Sequence, residues 1–124
     1  MSYLATLGFE TIFPGADIPF NSSKTSNGAI HLPGTAAITF NESGDYQVDY
    51  SINSKNPFIG SEVAITVNDV PVKTTLLTIP GEVTDTAQLT LVAGDVITLR
   101  NNSSFRLTLA LEPKVGAKMD IKKN

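Results

Sequence analysis

The chain of 124 residues contains no cysteine and no tryptophan, and it has a single histidine. The absence of cysteine excludes a disulfide framework and any zinc site built on thiolates, so packing and association must hold the fold. Charged residues are also scarce, at 17%. That share is low for a helical protein and ordinary for a β protein rich in turns.

The sequence also lacks a strong basic cluster and a long apolar run. The net charge is -3, and no face carries enough lysine and arginine to displace counterions from phosphates, which argues against nucleic acid as a partner. Lys118, Lys122 and Lys123 are interpreted as a solvated C-terminal end. No apolar run approaches the ~20 residues of a membrane helix, and no secretory pattern opens the chain. The sequence predicts a soluble protein without membrane insertion.

What the sequence does contain is a series of short alternating segments between glycine and proline turns. The chain has 9 glycines and 7 prolines, and turn signals that recur every 8–12 residues or so are typical of β-sandwiches and barrels. Its length predicts one domain, residues 1–124, with a single core. We predict about nine or ten short strands packed as two antiparallel sheets. The predicted strand segments are 3–13, 18–20, 35–40, 45–53, 62–67, 70–77, 86–92, 96–100, 105–111 and 117–121.

Residues 86–112 favour a meander. The segments 86–92, 96–100 and 105–111 each alternate apolar and polar residues, which is the period of a half-buried strand. Two short turns rich in glycine, asparagine and serine separate them. The pattern predicts three consecutive strands in one antiparallel sheet with one wet face.

The clearest alternation lies in residues 45–53. It predicts a mid-sheet strand with Tyr46 and Tyr50 facing inward or toward a partner subunit. Residues 21–28 are polar and favour exposed coil. Residues 117–121 predict a C-terminal strand that closes beside the beginning of the chain.

Asn68 and Asp69 predict a tight hairpin. Both side chains accept positive φ, as a two-residue type I′ turn requires. Pro71 follows in the returning strand 70–77, and proline cannot donate a ladder hydrogen bond. That strand is therefore predicted at a sheet edge or at a position outside the ladder.

No arrangement of residues favours catalysis. His31 lacks a neighbouring carboxylate and an activated serine, and no G-x-S-x-G elbow exists, so we interpret it as a structural or surface histidine. Glu42, Asp45 and Asp49 do not form a convincing glycosidase pair, because two flank a turn and one lies on a polar strand face. We predict that the protein is not an enzyme and has no cofactor.

Metal binding and glycosylation are equally weakly indicated. Calcium needs four or more converging oxygen ligands, and Asn68 with Asp69, or Glu82 with Asp85, offers too few, so no metal is predicted. The pattern Asn-X-Ser/Thr occurs at four asparagines, which we interpret as turn chemistry. These are Asn21, Asn41, Asn101 and Asn102.

Four blocks of sequence resemble a known family. They are PGADIPFN (14–21), HLPGTAAITF (31–40), GDYQVDYSI (44–52) and LVAGDVITLRNNSS (91–104). In this order and spacing they are similar to the C-terminal head domain of BclA-type collagen-like glycoproteins of Bacillus spore surfaces. The resemblance implies a jelly roll of the tumour necrosis factor and complement head class. It also implies a tight homotrimer at the tip of a surface fibre, with a non-catalytic role.

The sequence departs from the family pattern in two respects. Family heads usually follow a Gly-X-Y stalk, and none occurs in this sequence. An excised head, a stalkless relative and the tip subunit of another appendage remain alternatives. The closing segment AKMDIKKN is also more charged than the apolar closing strand of the family, which usually lies near the threefold axis.

The first hypothesis is therefore a trimeric jelly-roll head that caps a fibre on a spore or cell surface, facing outward, and presents loops for contact with a host surface or glycan. The alternatives are a carbohydrate-binding module and a phage or viral spike head, since fold does not fix function. An excess of apolar and aromatic residues suggests subunit contact, with burial in the monomer as the alternative for each residue. Candidates for the trimer interface are Phe9, Tyr46, Tyr50, Phe105, Leu107, Leu109, Met119 and Ile121. Candidates for ligand-binding loops are Asn21, Lys24, Asn27, Lys55 and Asn56.

Overall fold

A computed structural model describes residues 2–6, 11–20, 22–24, 29–31, 35–54, 61–77, 81–109 and 116–123. For residues 2–6, 22–24 and 81 it describes the backbone alone. These parts of the chain are built from β-strands and turns, and no helix able to cross a membrane occurs among them.

The strands are short apart from two of eleven residues. In chain order they are β1 (Ser2–Thr6), β2 (Thr11–Ile12), β3 (Ser22–Lys24), β4 (Ala29–His31), β5 (Ile38–Phe40), β6 (Gly44–Ser54), β7 (Glu62–Val67), β8 (Val70–Leu76), β9 (Gly81–Leu91), β10 (Val96–Asn101), β11 (Leu107–Thr108) and β12 (Ala117–Lys123).

Two five-stranded sheets form the sandwich. The first has the order β3-β1-β12-β6-β9, and the second has the order β4-β5-β10-β7-β8. β11 and β2 form a separate two-stranded ladder. All the described pairings are antiparallel. The two packed antiparallel sheets confirm the prediction from the strand pattern, and the fold is the jelly-roll sandwich that the family resemblance implied.

The core lies between the inner faces of the two sheets. On β6, Tyr46, Val48, Tyr50 and Ile52 are all buried, as the alternation predicted. β6 lies between β12 and β9, so its position inside the first sheet is also confirmed. The burial of each large side chain stabilises the fold by roughly 1.5–3 kcal/mol. The facing core residues from the second sheet are Ile38, Phe40, Val63, Ile65, Ile97 and Leu99.

The predicted meander over residues 86–112 is wrong. β9 pairs with β6 in the first sheet, whereas β10 pairs with β5 and β7 in the second. The turn between β9 and β10 therefore crosses from one sheet to the other. Gly94, at φ 97, and Asp95 are held there by backbone bonds to Phe40, of 2.7 and 2.9 Å. Alternation shows which face of a strand is apolar, but it does not choose the partner strand.

Three other segment predictions need correction. Residues 3–13 do not form one strand, because β1 belongs to the first sheet and β2 pairs with β11. In the segment 105–111, the described residues 105–109 contribute β11 and an isolated bridge between Leu109 and Ser54, and residues 110 and 111 lie outside the described part of the chain. In the segment 18–20, Phe20 forms only an isolated bridge with Thr35.

The loop predicted at residues 21–28 is also only partly right. It contains β3, which pairs with β1 at the edge of the first sheet. Residues 21 and 25–28 lie outside the described part of the chain. A strand can pair through its main chain without apolar side chains. The polar composition of residues 21–28 therefore did not predict β3.

The hairpin and the chain closure are confirmed. Asn68 and Asp69 have φ values of 50 and 69, and β8 lies at the edge of the second sheet. Ile65 pairs with Lys73 while the next residue pairs with Pro71, so Val72 is left out of the ladder as a β-bulge. β12 pairs with β1, which brings the two ends of the chain together.

Candidate functional site

The two ends of the sandwich differ in what they carry. β1 begins and β12 ends at the same end, since Ser2 pairs with Ile121. We call this the terminal end, and it also holds the turns after β7 and β9. The opposite end holds residues 13–16 and 101–106, and we call it the distal end.

Asn101 connects two loops of the distal end. Its side chain is 1% exposed, and its Nδ2 donates to the carbonyl oxygens of Ile12 at 3.0 Å and Phe105 at 2.8 Å. Its Oδ1 accepts from the Ser103 hydroxyl at 2.7 Å. Both loops are therefore fixed by one buried amide, which satisfies its own donors and acceptor at the same time.

A tight turn fixes the first of these loops. The Ala16 amide donates to the Phe13 carbonyl at 3.0 Å, and Gly15 has φ 77. Proline at position 14 and glycine at position 15 are the residues that a type II turn requires. The turn is attached to Asn101 by two backbone bonds of 2.9 Å, one from Gly15 and one to Ala16.

Two aromatic rings project from this rigid backbone. Phe13 is 60% exposed and Phe105 is 40% exposed. The ladder of β11 and β2 ends at the pair Leu107–Ile12, and the exposed Arg106 precedes Leu107 as Phe13 follows Ile12. We call Phe13, Phe105 and Arg106 the distal patch.

The second exposed apolar surface is the edge strand β8. Val70, Val72 and Leu76 are each half or more exposed, and every residue of β8 is at least partly exposed. Among the strands whose side chains the structure describes, β8 has the most exposed large apolar residues. Exposed apolar surface of this kind indicates a protein contact.

A polar chain joins β8 to β9 across the side of the sandwich. The Tyr50 hydroxyl lies 2.7 Å from Thr75 Oγ1, which donates to Asp85 Oδ2 at 2.7 Å. Lys73 Nζ lies 3.8 Å from Asp85 Oδ1. Burial raises the pKa of Tyr50, whereas the Thr75 hydrogen bond, followed by the Thr86 amide and Lys73, lowers the pKa of Asp85. The network holds β8 in place.

A polar groove of about 470 Å³ lies on the outer face of the first sheet. Asp49 and Asp120 stand opposite each other on β6 and β12 in this groove. Asp49 accepts from Thr86 Oγ1 at 2.6 Å and from the Gln47 amide at 3.1 Å. Within the described ranges, no three acidic, histidine or cysteine side chains come together to hold a metal ion.

Arg100 forms an ion-pair cluster on the second sheet. Its Nε donates to Asp17 at 2.7 Å and its Nη2 to Asp69 at 2.9 Å. The Asp17 hydrogen bond raises the pKa of Arg100, and Asp69 adds to the effect. The cluster fastens residue 17 and the β7–β8 turn to β10, so its role is structural.

The residues considered for catalysis are used elsewhere in the structure. The buried His31 has Nε2 2.6 Å from the Thr35 carbonyl oxygen and packs edge-on against Phe20. Asp45 accepts from the Thr90 hydroxyl at 2.7 Å. Glu42 lies 3.5 Å from Lys123 Nζ. The structure does not bring these groups into one site.

Most of the interface candidates lie in the core of the single chain, which is the alternative that the sequence left open. Phe105 is exposed, and Phe9 lies outside the described residues. The buried candidates are Tyr46, Tyr50, Leu107, Leu109, Met119 and Ile121.

The predicted ligand loops are largely outside the described structure. Lys24 lies on β3 at a sheet edge, where the backbone alone is described. The other loop candidates, Asn21, Asn27, Lys55 and Asn56, fall outside the described residues.

Sequence reasoning missed two exposed apolar groups, namely Phe13 and the valines and leucine of β8. The aromatic and β-branched residues of 3–13 predict a strand, but they do not show that Phe13 at its end is exposed. The exposure of β8 could have been predicted. Pro71 indicates an edge strand, and the apolar side chains of an edge strand are covered on fewer sides than those of a central strand.

Comparison with known proteins supports the fold and identifies the family. The family described as the BclA C-terminal domain matches residues 6–123. Comparison with curated protein sequences gives no match. Among solved structures, murine APRIL is 10% identical, with 98% of each chain covered and a TM-score of 0.73.

Two further structures have a TM-score of 0.57. Rabbit GITRL is 18% identical, with 77% of this chain and 76% of that chain covered. Pika GITRL is 18% identical, with 82% and 88% covered. At these identities the likeness shows the fold alone. The family match, which extends over almost the whole sequence, shows that this chain belongs to the BclA C-terminal domain family.

Proposed function

We propose that this chain is a homotrimeric head domain that caps a fibre on a bacterial spore surface, with a structural and adhesive role and no catalysis. Family membership supports the head assignment. The observation that carries the trimer is the apolar edge strand β8, with Val70, Val72 and Leu76 exposed in the single chain. A protein of this size gains stability when such a surface is covered by another copy.

The edge is suited to side-chain packing rather than to strand addition. Pro71 has no amide hydrogen, the bulge at Val72 interrupts the ladder, and Lys73 places a charge on the edge. Proline, bulges and lysine are the devices that natural sheets use against edge-to-edge pairing. The next copy therefore contacts β8 through its side chains. A closed ring of three copies results, instead of a continuous sheet.

The direction of the head follows from the positions of the chain ends. An upstream fibre would enter at the terminal end, where β1 begins beside β12. The distal end would then point away from the spore. This orientation leaves the distal patch accessible to the surroundings.

Static light scattering of the chain tests the proposal. A charge placed on β8 is expected to separate the subunits, and a charge placed on the opposite edge of the sandwich is not. A chain that remains a monomer at micromolar concentration would overturn the trimer.

A further inference from the structure

We propose that the polar groove on the outer face of the first sheet binds an amino sugar through its ammonium group. The inference goes beyond the head assignment and does not require the trimer, since the lining residues belong to one chain. It rests on two carboxylates without a cationic partner, on a buried hydroxyl group without a hydrogen bond and on the volume of the groove. The three groups belong to Asp49, Asp120 and Ser51.

The register of the sheet places the two carboxylates side by side. Asp49 on β6 pairs directly with Asp120 on β12, and both line the groove. Opposed side chains on one face of a sheet have Cβ atoms roughly 4.5–5.5 Å apart, and two like charges at this spacing destabilise the pair. A ligand that brings a positive charge between them removes the repulsion, so the pair favours a cation.

Within the described part of the chain, neither carboxylate has a cationic partner. Lys118 is the one lysine or arginine among the described residues that line the groove, and its Nζ lies 4.0 Å from Glu82 Oε2. Asp49 accepts hydrogen bonds from neutral groups, of which the Thr86 hydroxyl at 2.6 Å is the nearest. Asp120 forms no hydrogen bond or ion pair through its side chain in the described ranges. Both negative charges therefore remain available to a ligand.

A hydroxyl group next to the pair is buried without a partner. Ser51 follows Asp49 by two residues on β6, so its side chain lies on the same face, and it lines the same groove. The residue is 3% exposed, yet among the described residues its hydroxyl group has no hydrogen-bond partner. Because buried polar side chains normally have a partner, this hydroxyl indicates a bound molecule that supplies one.

An ammonium group matches these acceptors. It has three N–H donors and no acceptor, and the two carboxylates and the Ser51 hydroxyl each provide an acceptor. Hydrogen bonds from a cation to a carboxylate are about twice as strong as those between neutral groups. The arrangement therefore favours a primary amine over a neutral hydroxyl group at this position.

The volume of the groove selects an organic molecule over a bare metal ion. It is about 470 Å³, which lies within the roughly 300–1,000 Å³ of small-molecule sites. Calcium takes about 6–8 oxygen ligands, whereas in the described ranges no three acidic, histidine or cysteine side chains come together. Thr84 and Thr86 add hydroxyl groups to the lining, and these can exchange hydrogen bonds with the hydroxyl groups of a sugar.

Isothermal titration calorimetry of the full chain tests the inference at about pH 6, where a primary amine carries its proton. The probe is the linear trimer of glucosamine, and its counterpart is the trimer of N-acetylglucosamine, which has a neutral amide in place of each ammonium group. We expect the glucosamine trimer to bind about tenfold more tightly than its counterpart. Spermidine, which carries amines without a sugar, is expected to bind more weakly than the glucosamine trimer.

Two variants assign the binding to the groove. Asp120→Asn is expected to remove the preference for the glucosamine trimer, and Ser51→Ala to weaken its binding by about threefold to tenfold. Asp45→Asn is the matched control, because Asp45 lies on the same strand outside the groove and accepts from Thr90. Asp120→Asn and Asp45→Asn remove one negative charge each, so a general attraction of an acidic chain for a cation would weaken equally in both.

Five results would overturn the inference. They are no heat of binding with the glucosamine trimer, equal affinity for the acetylated trimer, equally tight binding of spermidine, equal losses in Asp120→Asn and Asp45→Asn, and a subunit mass that changes in Asp120→Asn without ligand. The last result would identify the groove as a contact between copies. Ser51 and Asp120 have no side-chain partner among the described residues, so their variants are expected to keep the wild-type melting temperature. The wild-type mass from light scattering separates failure here from failure of the trimer.

Discussion

Asn101 lies 89 positions from Ile12 in the sequence, and its buried Nδ2 donates to the Ile12 carbonyl oxygen at 3.0 Å. The same nitrogen donates to the Phe105 carbonyl oxygen at 2.8 Å. One amide therefore joins the start of the chain to the loop after β10. The shape of the distal end depends on this connection.

Substitution of this amide is expected to be costly. Asn101→Ala removes the hydrogen bonds to the two carbonyl groups and to the Ser103 hydroxyl. Loss of the partner of a buried polar group costs about 1–3 kcal/mol. We expect the free energy of unfolding in urea to fall by about 3 kcal/mol. Asn102→Ala, which removes a half-buried bond to Glu62, is the control and is expected to cost under about 1 kcal/mol. Equal losses in the two variants would refute the role of Asn101.

The hydroxyl of Tyr50 is expected to stabilise the side of the sandwich where β8 meets β9. Tyr50→Phe keeps the buried ring and removes the bond to Thr75, so the free energy of unfolding should fall by about 1 kcal/mol. A double-mutant cycle with Thr75→Val measures the coupling between the two groups. A coupling energy of zero would mean that the hydroxyl acts through other contacts.

Acid is expected to weaken the same network. The pKa of Asp85 is held below its ordinary value of 3.8, chiefly by the Thr75 hydroxyl. A group whose pKa is lower in the folded state stabilises the fold above its unfolded pKa, and that contribution is lost as the pH falls through the folded pKa. Wild type is therefore expected to be more stable than Asp85→Asn at neutral pH, and the difference should shrink below a pH of about 4.

The pH dependence is measured by urea unfolding of both proteins at a series of pH values. Asp45→Asn is a suitable control, because Asp45 also accepts a threonine hydrogen bond, from Thr90 near the end of β9, but it is not part of the network of Tyr50, Thr75 and Asp85. A constant difference between wild type and Asp85→Asn across this range would contradict the account.

A charge on β8 is expected to break the trimer. Leu76→Asp places a carboxylate in the surface that the neighbouring copy would cover, and an unpaired charge in a buried contact is strongly unfavourable. Ile30→Asp makes the same change on β4, the opposite edge of the second sheet. We expect monomers from Leu76→Asp and trimers from Ile30→Asp by sedimentation velocity. The reverse outcome would place the contact on the other side of the sandwich.

The features that the sequence predicted correctly are local ones. Asn68 and Asp69 are enough by themselves to predict the hairpin. The alternation in β6 predicts which face is buried, whichever strands pair with it. The resemblance of four short blocks also indicated the jelly roll and the family. Such features depend on backbone preference or on a side-chain period inside one strand.

The features that the sequence could not predict depend on distant pairings. β9 and β10 are adjacent in the chain but lie in opposite sheets, and no local pattern distinguishes that crossing from a hairpin. The distal patch exists because Leu107 pairs with Ile12, far away in the chain. Periodicity placed Tyr46 and Met119 on an apolar face, but whether that face packs internally or against another copy depends on the opposing sheet.

The central claim is that three copies form the head, and the mass in solution tests it most directly. Static light scattering at micromolar concentration is expected to return three times the 13.2 kDa of one chain. The mass should fall to that of a single chain in Leu76→Asp. A wild-type protein with the mass of one chain at that concentration would contradict the account.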